Sequence, residues 1–105
     1  MRFMNTWEID EAVQRFADNT VLSAAAQTLA NLRDCADANS DGWCYWPKPC
    51  RAAAQLQDLI QAQLDHDRIS GGDIIISAAQ VRKAYVPIKA FLTRSGLQCT
   101  LVVPQ

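Results

Sequence analysis

The chain has 105 residues, of which half are apolar and a fifth charged, a composition that excludes a wholly disordered protein. Its length suffices for one domain, and we expect residues 1–105 to form a single compact domain. A net charge of −1 and a pI of about 5.6 argue against a dedicated nucleic-acid binder.

Two amphipathic helices are predicted first along the chain. Apolar residues recur at helical spacing over residues 6–18, and Asn19-Thr20 then interrupts the pattern and offers an N-cap for the next helix. Over residues 21–36 the apolar residues fall on one stripe. The alanines at positions 24–26 favour helix and allow a neighbouring helix to approach closely. Both segments should therefore pack through one face.

Residues 37–50 read DANSDGWCYWPKPC, and a loop is predicted over residues 37–49. It begins like an EF-hand calcium site, with oxygen-bearing side chains at alternate positions and then a glycine. The position that should supply a bidentate carboxylate is Lys48, and Pro47 precedes it. The same polar residues also favour an ordinary helix-ending turn. We interpret the segment as a turn, with calcium as the alternative, and expect neither a metal nor a cofactor.

The second half of this loop concentrates aromatic residues. Trp43, Tyr45 and Trp46 precede or flank two prolines, Pro47 and Pro49, and a residue before proline is driven to extended backbone. The piece should therefore be stiff and hold its rings at little entropic cost. Two interpretations stay open. The rings cover one end of the core, as large aromatics do in small domains, or at least one of them contacts a partner.

A third helix begins at the end of the loop. Proline suits the first helical turn, and Pro49 precedes an apolar stripe that runs to Leu64. Gly71-Gly72 then marks a turn. The run Ile74–Ile76 is short and β-branched, which predicts a strand.

A fourth helix and a second strand complete the chain. Ser77 and Gln80 form a capping box, and Gly96 suits the C-terminal cap. Pro87 lies between them and predicts a kink, because it lacks the N–H that would bond to the carbonyl four residues earlier. Over residues 97–103 apolar and polar residues largely alternate, which is typical of a half-buried strand.

These elements predict a predominantly helical α+β fold, with three amphipathic helices followed by a strand–kinked helix–strand unit. The two strands can pair in parallel through a right-handed crossover. Two strands alone make a poor sheet, so either helices cover it or its edge recruits another chain. A homodimer formed through the C-terminal strand is a further expectation.

Charge is distributed unevenly along the chain. All eleven acidic residues lie at or before Asp73, together with six basic ones, so this part carries 6 − 11 = −5. The remainder carries four basic residues and no acid, hence +4. On the fourth helix, Arg82 and Lys89 share one side, while Lys83 and Arg94 share a second. This surface either pairs with acids of the same chain or of a protein partner, or it contacts nucleic-acid phosphates.

The thiols and the single histidine indicate neither a metal site nor catalysis. Cys35, Cys44, Cys50 and Cys99 lack the closely spaced pairs of a structural zinc site. The first residues lack the apolar run of a signal peptide, so we expect a cytoplasmic protein with reduced thiols. His66 stands alone in a polar context that suits a helix C-terminus. We therefore do not expect an enzyme.

The sequence thus predicts a small stand-alone interaction protein, a regulator, adaptor or inhibitor of the kind that mobile elements and phages carry. Its partner is a macromolecule, foremost a protein, and a nucleic acid is the alternative. No stretch is apolar enough to span a membrane. The predicted contact surface combines the aromatic loop with the basic helix. It comprises Trp43, Tyr45, Trp46, Lys48, Arg82, Lys83, Lys89 and Arg94.

Overall fold

The computed structural model describes residues 6–38, 48–96 and 99–103, and within them the side chains of residues 7–33, 51–94, 96 and 99–103. Helices make up most of these ranges. They are α1 (Thr6–Arg15), α2 (Thr20–Ala38), α3 (Lys48–Ser70) and α4 (Ala78–Ser95). The predicted helices are confirmed in their order and approximate extent, and Pro49 lies in the first turn of α3 as predicted.

Short polar residues start two of the helices, as the sequence predicts. The Asn19 side chain accepts a hydrogen bond of 2.9 Å from the N–H of Leu22 and so caps α2. At α4 the Ser77 hydroxyl accepts from the N–H of Gln80 at 3.2 Å, and the Gln80 side chain accepts from the N–H of Ser77 at 2.8 Å. This is the predicted capping box. Gly96 ends the helix in the left-handed region, with φ of 65°, where a side chain would be strained.

One apolar core draws on the four described helices. α3 packs extensively on α4, α1 on α2, and α2 on α3, while α2 and α4 meet directly over a small area. The small side chains at positions 24–26 of α2 are buried, which lets neighbouring helices approach its backbone. The largest apolar side chains that are almost completely buried belong to the four predicted stripes. They are Ile9, Leu22, Leu29, Leu56, Ile60, Leu64, Val81 and Ile88.

The two predicted strands are wrong, because the described residues contain helices and irregular segments but no strand. The first of the two segments, residues 74–76, has no neighbouring strand and is held by a side chain of a helix. The amide of Gln63 on α3 donates to the carbonyl of Asp73 at 2.8 Å and accepts from the N–H of Ile75 at 2.9 Å. One glutamine thus makes the two main-chain bonds that a strand would make. Ile76 is buried, whereas Ile75 remains 47% exposed.

The second segment, residues 99–103, is called the strap below and is held in the same way. Side chains of Thr28 and Asn31 on α2 and of Tyr85 on α4 bond to its backbone. Because each segment finds its partners on helices, the two do not pair with each other. Over the described residues the fold is therefore all-helical and not α+β, and the predicted dimer loses the strand edge on which it depended.

Helix α4 continues without interruption through Pro87. The ring has no N–H, so Pro87 cannot make the helical hydrogen bond to the carbonyl of Lys83. The kink expected here stays a prediction, as does the organisation of the whole chain as one domain.

Candidate functional site

Helix α4 turns one broad side to solvent, and this side carries the four basic residues that follow position 73. At roughly 100° per residue, Arg82 and Lys89 form one row about 10 Å long, and Lys83 and Arg94 form a second about 16 Å long, roughly a third of a turn away. All four side chains are exposed. These four residues, together with Val86 between the rows, are called the cationic face below.

The two rows of cations flank an uncharged strip. Val86 is 69% exposed, and Ala79, Ala90 and Thr93 continue the strip along the same side of the helix. These side chains are small, so the surface of a partner can approach the helix between the cations. The opposite side of α4 is buried in the core, which fixes the orientation of the cationic face.

No acid within the described part of the chain neutralises the cationic face. Arg82, Lys83, Lys89 and Arg94 make no ion pair and no side-chain hydrogen bond with another described residue. The interpretation in which these charges pair with acids of the same chain therefore finds no support among the described residues.

Four acids of α1 and α3, namely Asp10, Glu11, Asp65 and Asp67, are engaged with other arginines. Glu11 bonds to Arg15 at 3.2 Å and to Arg68 at 3.0 Å, and Asp67 bonds to Arg15 at 2.9 Å. These pairs are partly exposed, so each contributes about 0–1 kcal/mol to stability. Their importance here is that Glu11 and Asp67 are already engaged by arginines of α1 and α3.

The aromatic half of the predicted contact surface lies outside the described residues. This applies to Trp43, Tyr45 and Trp46. Lys48 is the first residue of α3, and its side chain also lies outside the described part. On α1, Trp7 is 59% exposed, although the sequence pattern did not single it out.

A buried hydroxyl cluster joins α2, α4 and the strap. The N–H of Val102 donates to the Thr28 hydroxyl at 2.9 Å, and the Tyr85 hydroxyl donates to the Val102 carbonyl. Asn31 donates to the carbonyl of Thr100 at 3.0 Å. Burial raises the pKa of the Tyr85 phenol, while its hydrogen bond with Thr28 acts in the opposite direction.

Cys99, at the start of the strap, is disulfide-bonded, so the expectation of reduced thiols is wrong for this residue. Its sulfur lies 3.9 Å from the carbonyl oxygen of Asn31 on α2. The side chains of the other cysteines, Cys35, Cys44 and Cys50, lie outside the described part of the chain. The even number of cysteines was the one feature of the sequence that could have indicated a disulfide.

His66 lies inside α3, and its Nε2 is buried without a hydrogen-bond partner among the described residues. The neighbouring carboxylates are occupied, because Asp65 accepts from Gln61 at 3.0 Å and Asp67 accepts from Arg15 at 2.9 Å. Over the described ranges, no three His, Cys, Asp or Glu side chains are placed to hold a metal ion. That the protein is not an enzyme stays a prediction.

Sequence reasoning also missed the buried polar side chains that position these surfaces. Thr28 is fully buried in α2, and Gln63 is 1% exposed in α3. A signal was present, because each interrupts or borders an apolar stripe, and a buried polar group needs a bonding partner. The identity of that partner was not visible from the sequence.

Comparison of the chain with protein-family models, with characterised proteins and with solved structures found no significant match. None of the helices in the described ranges combines the length and the apolarity that crossing a bilayer requires.

Proposed function

We propose that the protein is a non-enzymatic interaction protein that binds an acidic protein surface through the cationic face of α4. One observation carries this proposal. The four cations are exposed and without acidic partners among the described residues. Elsewhere in the same structure, Arg15, Arg33 and Arg68 are all paired with carboxylates.

The arrangement of the face indicates the chemistry of its partner. Two rows of cations on either side of Val86 complement an amphipathic helix whose apolar strip is flanked by carboxylates. Opposite charges would accelerate encounter and fix the register of the two helices. Burial of Val86 against the partner's apolar strip would add contact that does not depend on salt.

The aromatic loop is the second part of the proposed surface. Trp43, Tyr45 and Trp46 supply rigid rings of the type that dominates protein interfaces. The contribution of the loop can be separated from that of α4 by replacing Trp46 with alanine in a protein whose cationic face is intact.

Nucleic acid is the second candidate partner, because the same unpaired cations would also suit phosphates. Each phosphate neutralised on duplex DNA contributes about −0.9 to the slope of log affinity against log salt. A phosphate backbone would engage the cations but leave Val86 exposed, whereas a protein helix would bury it. The exposed valine in the centre of the face therefore favours the protein partner.

The test measures binding of two probes by fluorescence anisotropy. One is a helical peptide with glutamates flanking an alanine and leucine strip, and the other is a short DNA duplex. Arg82→Glu should weaken peptide binding at least about tenfold, because it turns an attraction into a repulsion. Arg51→Glu is the matched control, since Arg51 is an exposed cation on α3. It should change peptide binding less than about threefold.

The Val86→Ser variant decides between the two partners. It should weaken peptide binding and leave DNA binding unchanged. Absence of peptide binding, or equal losses for Arg82→Glu and Arg51→Glu, would contradict the proposal. Tight DNA binding that is insensitive to Val86→Ser would favour the second candidate.

A further inference from the structure

An open groove lies where the end of α1, the start of α2 and the end of α3 meet. Its apolar lining comes from Phe16, Leu22 and Ile74, of which Ile74 is 51% exposed. The volume of the groove is about 260 Å³, below the roughly 300–1,000 Å³ of most small-molecule pockets. A side chain from another protein therefore suits it better than a drug-sized ligand.

Side-chain bonds fix the walls of this groove. The Gln63 side chain bonds to the backbone on both sides of Ile74. Asp67 accepts from the N–H of Gly72 at 3.0 Å and pairs with Arg15 at 2.9 Å. The groove is thus formed before a partner arrives, which lowers the entropic cost of binding.

Two carboxylates give the groove a negative rim. Asp18 lines it, and Asp73 lies between Gly72 and Ile74, which both belong to its wall. Both acids are exposed, and neither side chain makes an ion pair or a hydrogen bond with another described residue. Arg15, the cation in the lining, is already engaged by two carboxylates. This site is called the acidic groove below.

We propose that the acidic groove receives the N-terminal half of the cationic face of a second copy of this chain. The inference rests on the proposed function, because it names one acidic surface to which that face binds. Arg82 and Val86 lie one helical turn apart, about 6 Å along α4, and place an unpaired cation beside an exposed apolar side chain. The groove offers the complement, the carboxylate of Asp18 and the exposed part of Ile74.

A two-fold arrangement uses both surfaces of each copy. In an isologous dimer, α4 of one copy contacts the groove of the other, and the same contact is made in the opposite direction. Each attraction between Asp18 and the cations of α4 is then made twice. The dimer covers part of the cationic face, so an external acidic partner competes with the second copy.

The test is sedimentation equilibrium of the intact protein over a range of concentrations. The mass should rise from 11.6 kDa toward twice that value. Asp18→Lys and Arg82→Glu should each weaken self-association at least about tenfold, because each turns two attractions into repulsions. Asp58→Lys and Arg51→Glu are the matched controls, since both residues are exposed on α3. They should change self-association less than about threefold.

A mixture of two variants gives the sharpest comparison. Fluorescently labelled Arg82→Glu is titrated with unlabelled Asp18→Lys, so that opposite charges face each other again at both contacts. Asp58→Lys is the control titrant, because it has the same net charge but restores no contact. Asp18→Lys should bind the labelled variant at least about tenfold more tightly than Asp58→Lys does.

Two results would overturn the dimer. One is a wild-type protein that keeps a mass of 11.6 kDa at its highest soluble concentration. The other is equal binding of Asp18→Lys and Asp58→Lys to labelled Arg82→Glu.

The glutamate peptide separates this inference from the proposed function, because Asp18 lies outside α4. If the wild-type protein stays monomeric while Asp18→Lys binds the peptide, the dimer alone is wrong. If the wild-type protein stays monomeric and Asp18→Lys does not bind the peptide, the proposed function is wrong as well.

Discussion

The hydroxyl oxygens of Thr28 and Tyr85 lie 3.3 Å apart in the core between α2 and α4. Both residues also bond to Val102 of the strap. A pair of buried hydroxyls thus replaces the strand partner that this segment would otherwise need. This pair joins the strap to the core. Removal of either hydroxyl should therefore lower the free energy of unfolding of the whole protein.

Replacement of Tyr85 by phenylalanine removes one hydroxyl from this cluster. The ring still fills the core, but the bond to the Val102 carbonyl is lost, so the free energy of unfolding should fall by about 1–2 kcal/mol at neutral pH. Urea denaturation measures the difference. No loss of stability would mean that the hydroxyl cluster does not hold the strap.

The same residue predicts a loss of stability at alkaline pH. Burial raises the pKa of Tyr85 above its usual value, so above about pH 10 the unfolded chain releases this proton more readily than the folded one. The unfolded state then binds fewer protons, and stability falls as pH rises. The stability gap between the wild-type protein and Tyr85→Phe should therefore narrow as the pH rises above about 10. A gap that widens over this range would contradict the assignment.

Gln63 should contribute far more to the free energy of unfolding than Gln61, which lies two residues earlier on α3. Gln63→Ala leaves the carbonyl of Asp73 and the N–H of Ile75 without their partners, which should cost about 2–3 kcal/mol. Gln61→Ala removes only a bond to Asp65 that the structure places at the surface, and should cost less than about 0.5 kcal/mol. Thermal denaturation of the two variants makes the comparison, and similar costs would refute the role of Gln63.

The capping box of α4 provides a fourth stability prediction. Ser77→Ala removes the acceptor for the Gln80 N–H and should cost about 1 kcal/mol. Ser70→Ala, at the exposed end of α3, is the control and should be close to neutral. If both variants melt together with the wild-type protein, the cap contributes nothing to the fold.

The helices could be predicted from sequence because their signals are local. Apolar periodicity located the buried stripes, and Asn19, Ser77 and Gly96 marked helix ends that the structure places at the same residues. Such features depend on residues within a few positions of one another.

The strands could not be predicted correctly because their outcome depends on distant residues. The β-branched run at 74–76 and the alternation at 97–103 both suit a strand, and a strand requires a main-chain partner. In the structure these partners are the side chains of Gln63, Thr28 and Tyr85. No local pattern indicates that a glutamine or a tyrosine in a helix will take this role.

The candidate site was predictable only in part, because its helical positions are a local property and its ion pairing is not. The positions of Arg82, Lys83, Lys89 and Arg94 on two sides of α4 follow from helical geometry. Whether acids of the same chain would reach them depended on tertiary packing, and so did the exposure of Val86 between the rows. The charge asymmetry of the sequence indicated the cationic face. Tertiary packing determined that its cations are unpaired among the described residues and that Val86 is exposed.

The most direct test of the account is to map the contact surface by NMR. A ¹⁵N-labelled protein is titrated with the helical peptide that carries two rows of glutamates. We expect the amide shifts to change most along the exposed side of α4, at Ala79, Arg82, Val86, Lys89 and Thr93. Shift changes confined to α1 and α3, or none anywhere on α4, would contradict the proposal that this helix binds an acidic partner.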